Sequence, residues 1–294
     1  MRTDKWLKLK CASLLGKRIA ITGTTGGIGR ELCDILASCG AQLILMDRNR
    51  ERSSLFADEL REKYGTDVQL VSVDLADFHS VVKATDELLL LNPDCFIHNA
   101  GAYSIPRYKT NLGYDNVFQI NFISPYYIIK RLLPHLKSVS GRAVAVGSIA
   151  HNYSRSDEND VDFSTRKQSS KVYGNAKRYL MFSLHELFKN EKEATLSIVH
   201  PGISFTGITN HYPKLIFALI KHPMKVIFMN PRRAALSVVD GVFRASGYCE
   251  WTGPRIFDVW GVPKKKLLRT ASSYERETMF ATAEKIYSEI LSVE

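Results

Sequence analysis

Short apolar runs alternate with amphipathic stretches along most of the chain. Between the runs, apolar residues recur at helical spacing, most clearly over 113–135 and 173–189. Apolar runs of strand length that alternate with helices are typical of a parallel sheet covered on both faces. The strand candidates lie at 18–22, 42–46, 68–73, 95–98, 142–146 and 195–199, with a last one near 256–259. The pattern predicts an α/β fold with one Rossmann-type, doubly wound parallel sheet of about seven strands and helices on both faces.

Length and composition favour one domain. With 294 residues, of which 45% are hydrophobic, the chain can bury a substantial core but not two full-sized α/β domains. No internal repeat, low-complexity tract or interdomain linker divides it. The polar stretch 151–170 interrupts the pattern, and we expect it to be a surface insertion.

The chain is basic, with forty Lys and Arg against thirty Asp and Glu and a net charge of +10. Such a charge can attract polyanions or an anionic membrane surface. The basic residues are dispersed, however, and the densest cluster, 264–266 with Arg269, has no nucleic-acid-binding motif beside it. We therefore expect a solvated basic face and no nucleic-acid partner, while attraction to a cofactor phosphate or an acidic lipid stays open.

The five cysteines are odd in number and include no Cys-x-x-Cys pair, so we expect reduced packing residues and no metal site. No apolar run approaches the ~18 residues that a membrane span needs. The basic stretch 5–10 lacks the apolar core of a signal peptide. These features predict a cytoplasmic protein, with association at the periphery of a membrane left open.

A glycine-rich turn follows the first strand candidate and reads TGTTGGIG over 22–29. Glycines allow a tight turn and let a diphosphate approach the amides at a helix N-terminus. Asp47 closes the second strand candidate about 20 residues on, where a carboxylate can bind ribose hydroxyls. This arrangement predicts a dinucleotide site; the alternative is a glycine-rich turn that binds nothing.

Tyr173 and Lys177 are four residues apart on a predicted helix and therefore share a face. An ammonium close to a phenol favours the phenolate and lowers the tyrosine pKa, which would make Tyr173 a usable acid or base. Tyr126 and Lys130 have the same spacing, but their stretch is so apolar that core packing explains it better.

Five separated motifs in order resemble the classical short-chain dehydrogenase/reductases. The 22–29 turn resembles the family's Thr-Gly-x-x-x-Gly-x-Gly, and HNAG at 98–101 resembles its Asn-Asn-Ala-Gly, with His98 in place of the first Asn. Four residues fall in the order of the family's catalytic set: Asn121, Ser148, Tyr173 and Lys177. The long spacing from Ser148 to Tyr173 and the Trp260 to Lys264 stretch are similar to retinol dehydrogenase and protochlorophyllide reductase relatives. The glycine spacing also fits the extended branch of epimerases and dehydratases.

The resemblance implies a role for each catalytic candidate. Tyr173 would move the proton, and Ser148 would hydrogen-bond the reacting oxygen. Lys177 would lower the tyrosine pKa and hold the nicotinamide ribose, while Asn121 would support a water that links the lysine to solvent. Ser148 at a strand end and Asn121 as a buried amide also have purely structural explanations.

The resemblance also implies which residues contact the cofactor: Gly23, Thr25, Gly27, Ile28, Gly29, Asp47, Arg48, Asp74, Leu75, Asn99, Ala100, Gly101, Tyr173, Lys177, Pro201, Gly202 and Thr206. Asp47 would repel the 2′-phosphate of NADP, whereas Arg48 could pair with it. We favour NAD without excluding NADP. Asp74 would contact adenine, or cap a helix.

The resemblance and the site together predict an NAD(P)-dependent oxidoreductase that interconverts an alcohol and its ketone or aldehyde. Large apolar residues over 212–228 favour a lipophilic substrate, and interleaved basic residues would suit a membrane surface. The expected single domain, 1–294, then comprises an N-terminal lead (1–16), a dinucleotide-binding half (17–150) and a half with the catalytic helix, substrate lid and C-terminal segment (151–294). Homo-oligomers are plausible by resemblance. The alternatives are a non-catalytic dinucleotide-binding regulator and an extended-type epimerase or dehydratase.

Overall fold

The computed structural model describes residues 3–202 and 229–292. Its strands form one eight-stranded sheet in the order β3-β2-β1-β4-β5-β6-β7-β8. The strands are β1 (Arg18–Thr22), β2 (Gln42–Asp47), β3 (Val68–Ser72), β4 (Cys95–His98), β5 (Arg142–Val146), β6 (Thr195–Val199), β7 (Glu250–Ile256) and β8 (Trp260–Leu267). All neighbouring pairs are parallel except β7 and β8, which are antiparallel.

Helices cover both faces of the sheet. They are α1 (Thr3–Lys10), α2 (Gly27–Ser38), α3 (Arg50–Tyr64), α4 (Phe78–Leu90), α5 (Asn116–Phe118), α6 (Ser124–Ser138), α7 (Ser169–Leu187), α8 (Pro231–Phe243) and α9 (Ser273–Leu291). A π-helical turn, Gln119–Ile123, joins α5 to α6, and a 3₁₀ turn, Ile149–Tyr153, follows β5. Within the described segments, no helix is both long and apolar enough to cross a bilayer.

Alternate residues of each strand supply two cores. In β1, Ala20 belongs to the core under α4, α6, α7 and α9, whereas Ile19 and Ile21 belong to the core under α1, α2, α3 and α8. A strand that is buried on both faces must be apolar at every position, which is why these strands read as continuous apolar runs. The predicted doubly wound α/β sheet is confirmed.

Local sequence fixes the ends of several helices. The side chain of Asn49 accepts a hydrogen bond from Arg52 N at 2.9 Å and so caps α3, which ends at the left-handed Gly65. Asp77 caps α4 in the same way through His79 N. Such caps satisfy amides that have no partner inside the helix.

The C-terminal edge of the sheet differs from the prediction. The prediction of a strand near 256–259 is wrong. Phe257 and Asp258 have positive φ angles of 49° and 59° and form the turn between β7 and β8. An eighth strand, β8, was not predicted. It is an antiparallel edge strand that carries Pro263 and three lysines, so it lacks the apolar run of an internal strand.

The stretch 151–170 is not simply a surface insertion. His151 is fully buried, and Phe163 packs in a small apolar cluster with Val117 and Val172. Single apolar anchors in a polar segment have no periodicity, which explains why the sequence pattern missed them.

Candidate active site

The glycine turn sits where the strand order reverses, between β1 and β4, a common ligand position in doubly wound sheets. Gly23 has φ +73°, and a Cβ on it would lie 2.9 Å from the Ala100 Cα. A Cβ on Gly29 would lie 2.1 Å from the Gly23 carbonyl oxygen. Both positions therefore require glycine, as the motif predicts. Gly26 precedes α2 without a side-chain cap, so the first amides of α2 are suited to an anion.

Thr22 ties the ends of β1 and β4 together. Its hydroxyl oxygen accepts hydrogen bonds from the amides of Asn99 at 3.1 Å and Ala100 at 3.0 Å. The Asn99 side chain donates to the carbonyls of Thr22 and Gly23. His98 is buried, and its Nδ1 lies 3.3 Å from the Thr22 hydroxyl. The sequence motif located Asn99 and Ala100 but did not show that Thr22 holds them.

Asp47 braces the glycine turn from the end of β2. Its carboxylate accepts hydrogen bonds from the Thr24 amide at 2.8 Å, from the Thr24 hydroxyl and from the Ser53 hydroxyl at 2.9 Å. The Thr25 amide approaches it at 3.4 Å. Asp47 thus lies beside the predicted cofactor contacts, with neutral groups on its oxygens.

Arg48 and Asp74 lie next to each other beyond the ends of β2 and β3. The Arg48 side chain is 80% exposed, and its Nη1 lies 3.9 Å from an oxygen of Asp74. Asp74 also accepts a hydrogen bond from the Ala76 amide at 2.9 Å, which supports a local turn. Leu75 is buried, and its carbonyl oxygen accepts from the Ser124 hydroxyl at 2.7 Å.

Ser148 and Tyr173 meet at the carboxyl end of β5. Their side chains are hydrogen-bonded, and Tyr103 packs edge-on against the Tyr173 ring with centroids 5.4 Å apart. Burial raises the pKa of Tyr173 to about 12, although the Ser148 hydrogen bond opposes this shift. The phenol is therefore protonated near neutral pH. Sequence reasoning missed Tyr103, which lies in a loop without periodicity.

Lys177 lies one turn of α7 beyond Tyr173 and is 1% exposed. Its ammonium donates a hydrogen bond to the Val146 carbonyl oxygen at 2.8 Å and lies 5.7 Å from the centroid of the Tyr173 ring. Burial lowers the pKa of Lys177 to about 7. The expectation that Lys177 lowers the pKa of Tyr173 is wrong for this arrangement, because desolvation dominates at both groups.

Asn121 lies in the π-helical turn, a feature that is frequent at functional sites. Its amide nitrogen donates to the carbonyls of Ala102 and Val117, both at 2.8 Å. Its oxygen faces Gly101, where a Cβ would lie 2.9 Å from that oxygen and 3.7 Å from the Lys177 Nζ. Asn121, Gly101 and Lys177 are thus brought together. The helix predicted over 113–135 gave no sign of this turn.

His200 and Gly202 lie in the segment that follows β6. Gly202 has φ +77°, and a Cβ on it would lie 2.8 Å from the Val259 carbonyl oxygen. His200 stacks on Trp251 with centroids 4.0 Å apart, and its Nε2 lies 3.0 Å from Asp258 Oδ1. Burial lowers the pKa of His200. Thr206 and the predicted substrate-covering residues over 212–228 lie outside the described residues.

His151 supports the backbone of Ser148, and sequence reasoning gave it no such role. Its Nδ1 lies 2.6 Å from the Ser148 carbonyl oxygen, and its Nε2 lies 3.0 Å from the Thr270 hydroxyl. Thr270 is distant in sequence, and the contact with Ser148, three residues back, depends on the 3₁₀ turn, so no sequence motif revealed either partner. Among residues 3–202 and 229–292, no group of three or more His, Cys, Asp or Glu side chains is arranged to hold a metal ion.

The chain is similar in sequence to known proteins. The model of the short chain dehydrogenase family matches residues 17–159. Retinol dehydrogenase 14 of Mus musculus is 32% identical over 212 residues, which cover 67% of this chain and 64% of that protein. Dehydrogenase/reductase SDR family member 13 of Bos taurus is 31% identical over 233 residues, which cover 76% of this chain and 61% of that protein. In both alignments, the chain spans less than two thirds of the relative.

Solved structures share the fold. A putative uncharacterized protein from Mycobacterium paratuberculosis has a TM-score of 0.77 at 21% identity, covering 95% of this chain and 96% of that one. The RhlG/NADP active-site complex of Pseudomonas aeruginosa has a TM-score of 0.60 at 22% identity, covering 79% of this chain and 91% of that one. The chain belongs to the short-chain dehydrogenase/reductase family, and within it to the classical, retinol dehydrogenase-like members.

Proposed function

We propose that the protein is an NAD(P)-dependent oxidoreductase that interconverts an alcohol and its ketone or aldehyde. The observation that carries this proposal is the hydrogen-bonded pair of Ser148 and Tyr173, with the buried Lys177 one helical turn away. This corner lies at the same edge of the sheet as the glycine turn. A proton donor next to a dinucleotide site is what carbonyl reduction by hydride transfer requires.

The glycine turn and its surroundings fit a dinucleotide. Gly23 and Gly29 have no room for side chains, and the first amides of α2 have no side-chain acceptor at Gly26. These amides would hold the diphosphate, since the positive end of the helix dipole favours an anion there. When bound, the nicotinamide would supply or accept the hydride.

We assign the proton step to Tyr173. Its phenol is protonated near neutral pH because burial raises its pKa to about 12. In the reducing direction, the carbonyl oxygen gains an electron pair and takes the phenolic proton; in the oxidising direction, the proton returns. The Ser148 hydroxyl orients that oxygen by a hydrogen bond.

Lys177 and Asn121 have supporting roles in this proposal. Lys177, held by the Val146 carbonyl, exchanges a proton readily because its pKa is about 7, so it can restore the Tyr173 proton after reduction. Asn121 uses both amide protons on Ala102 and Val117 and thereby holds the loop beside the lysine. A water relay from Lys177 past Asn121 to solvent is part of the proposal.

For the cofactor, we propose a preference for NAD. The Asp47 carboxylate is 7% exposed and its partners are neutral amides and hydroxyls, so its charge is left to repel a 2′-phosphate. Arg48 favours the alternative, NADP, because its exposed side chain makes a long 3.9 Å contact with Asp74 and could turn to a 2′-phosphate. NADP is the cofactor named for the Pseudomonas neighbour.

We propose a lipophilic alcohol or carbonyl compound as the substrate, acted on at the cytoplasmic side, with peripheral membrane contact. Retinol, named for a relative of this chain, is a substrate of this type. The sequence over 212–228 is rich in large apolar residues with lysines between them, which suits both substrate and membrane surface.

A coupled assay tests the function. Fluorescence titration with NADH and NADPH establishes binding, and a panel of lipophilic ketones and aldehydes is then screened by loss of nicotinamide absorbance. Steady oxidation of the cofactor with formation of the alcohol is the expected result. Tight cofactor binding without turnover on any member would favour the dinucleotide-binding regulator, and an isomerised product without net redox change would favour the epimerase or dehydratase.

A further inference from the structure

Two cysteines far apart in the sequence meet at the C-terminal end of α2. Cys11 follows α1, and Cys39 is the C-cap of α2. Their thiols are hydrogen-bonded to each other, both are free, and both are of intermediate exposure. The backbones are also linked, since the Leu14 amide donates to the Cys39 carbonyl oxygen at 2.8 Å.

The N-terminal lead packs against the rest of the molecule, and this packing positions Cys11. Trp6 of α1 is 2% exposed, and the Arg244 guanidinium lies 5.7 Å from the centroid of its ring. Arg244 also donates to the Lys10 carbonyl oxygen at 3.3 Å and pairs with Asp240. These contacts hold Cys11 beside Cys39.

The two thiols have unequal reactivity. The Cys11 S–H donates to Cys39, and this hydrogen bond lowers the pKa of the Cys39 thiol and raises that of the Cys11 thiol. Cys39 is therefore the nucleophile of the pair and Cys11 its resolving partner.

The pKa is not lowered at any of the remaining cysteines. Cys33 and Cys95 are buried, and burial raises the pKa of both, that of Cys95 to about 12. Cys249 is of intermediate exposure, but burial raises its pKa as well. Cys249 thus serves as an accessible control thiol.

We propose that Cys11 and Cys39 form a reversible disulfide that joins the N-terminal lead to the C-terminal end of α2. A peroxide is the oxidant. The Cys39 thiolate attacks one peroxide oxygen, the O–O bond breaks, and a sulfenic acid and hydroxide form. The Cys11 sulfur then attacks the Cys39 sulfur, the S–O bond breaks, and water leaves with the Cys11 proton. Two thiols are oxidised, one peroxide is reduced, and a dithiol reductant reverses the step.

The disulfide would raise the stability of the folded protein. This inference does not depend on the proposed function. It closes a loop from residue 11 to residue 39 in the unfolded chain, which lowers the entropy of that state. Oxidised protein should therefore unfold at a higher temperature than reduced protein, by about 5 °C or more. The earlier expectation of five ordinary reduced packing cysteines would then hold for Cys33, Cys95 and Cys249 alone.

Peptide mapping after mild oxidation tests the proposal. The purified chain is exposed to one equivalent of hydrogen peroxide at pH 7, quenched with an alkylating reagent and digested. A peptide that links Cys11 to Cys39, formed in wild type and in Cys249→Ala but absent in Cys11→Ser, is the expected result. Its absence in wild type, or oxidation of Cys249 at an equal rate, would overturn the proposal.

Alkylation kinetics test the hydrogen bond without oxidation. In Cys11→Ala the donor is lost, so the thiolate fraction of Cys39 at pH 7 falls; the gain in intrinsic nucleophilicity offsets part of this, and we expect iodoacetamide to react about fivefold more slowly. Cys11→Ser keeps a donor and should stay within about twofold of wild type. An unchanged or faster rate in Cys11→Ala would contradict the assigned pairing.

Discussion

At the scale of single residues, burial governs the chemistry of the candidate site. It raises the pKa of Tyr173 to about 12 and lowers that of Lys177 to about 7, so both groups are driven toward their neutral forms. The free protein therefore holds a protonated phenol, which is the form that can donate a proton. The sequence predicted that the two residues share a helix face. It did not predict that both side chains are buried, because their burial depends on segments that are distant in sequence.

Lys177 should reduce the stability of the fold at neutral pH. Between its folded pKa of about 7 and its ordinary value of 10.5, the unfolded chain binds a proton that the folded chain does not, so the Lys177 contribution becomes more favourable as pH rises through this window. We predict that Lys177→Met raises the free energy of unfolding at pH 7 by about 2 kcal/mol, after the lost hydrogen bond to Val146 is counted.

Urea denaturation at pH 7 and pH 9 measures this effect. The advantage of Lys177→Met should shrink at the higher pH. The matched control is Lys130→Met, which loses a partly buried ion pair with Glu284 and should not gain stability. A Lys177→Met protein that is less stable than wild type at pH 7 would contradict the account of its burial.

In the proposed cofactor site, Asp47 favours NAD and Arg48 favours NADP. Asp47→Asn removes the charge but keeps an acceptor for Thr24, so we predict a shift of the NAD to NADP affinity ratio toward NADP of about tenfold, or ~1.4 kcal/mol. Arg48→Ala should shift the ratio the other way. Fluorescence titration of both reduced cofactors measures the ratios, and a shift of Asp47→Asn toward NAD would refute the role of the charge.

At the scale of elements, α9 holds the candidate catalytic helix in place. Arg178 of α7 is 2% exposed and makes two contacts of 2.7 Å with the Glu275 carboxylate of α9. It also donates to the carbonyls of His151 and Thr270. One guanidinium therefore connects α7, the turn after Ser148 and the segment before α9.

Removing Glu275 should leave the Arg178 charge buried and unpaired. We predict that Glu275→Ala lowers the free energy of unfolding at pH 7 by about 3 kcal/mol. The pKa of Glu275 lies below its usual value, so its contribution is present above the unfolded pKa and is lost as pH falls through the folded pKa. The difference from wild type should therefore narrow in acid.

Chemical denaturation at pH 7 and pH 3 measures this loss. The control is Glu289→Ala, since Glu289 forms an exposed 3.9 Å pair with Lys285 and should change stability by less than about 0.5 kcal/mol. If the two substitutions lowered the free energy of unfolding equally, the ion pair between Arg178 and Glu275 would not have the proposed role in stability.

How well each element was predicted depended on its burial. The internal strands β1, β4, β5 and β6 have the predicted bounds, because strands buried on both faces must be apolar throughout. The edge strand β8 and the π-helical turn at Asn121 were missed. An exposed strand needs no apolar run, and a π turn differs from an α-helix only in its hydrogen bonds.

At the scale of the whole molecule, the motifs predicted which residues meet but not what holds them. The edge where parallel strands end brings Gly23, Asn99 and Ser148 together, as the order of the motifs implied. The supporting partners, such as Thr22 for Asn99 and Thr270 for His151, come from contacts between distant segments. A single sequence carries little information on such pairs, and the contact between Cys11 and Cys39 was missed for the same reason.

The most direct test of the account is hydride transfer in Tyr173→Phe. The substitution removes one hydroxyl, so cofactor affinity and fold should be nearly unchanged while the rate of carbonyl reduction falls by about 10² to 10⁴-fold. Tyr126→Phe is the matched control, because the Tyr126 hydroxyl donates a hydrogen bond to Glu284 at 2.5 Å, between α6 and α9. It should keep wild-type turnover.

Single-turnover measurements with bound reduced cofactor compare the three proteins. A large loss in Tyr173→Phe alone, with unchanged cofactor titration, is the predicted result. Wild-type rates in Tyr173→Phe would contradict the central claim that the Tyr173 phenol delivers the proton.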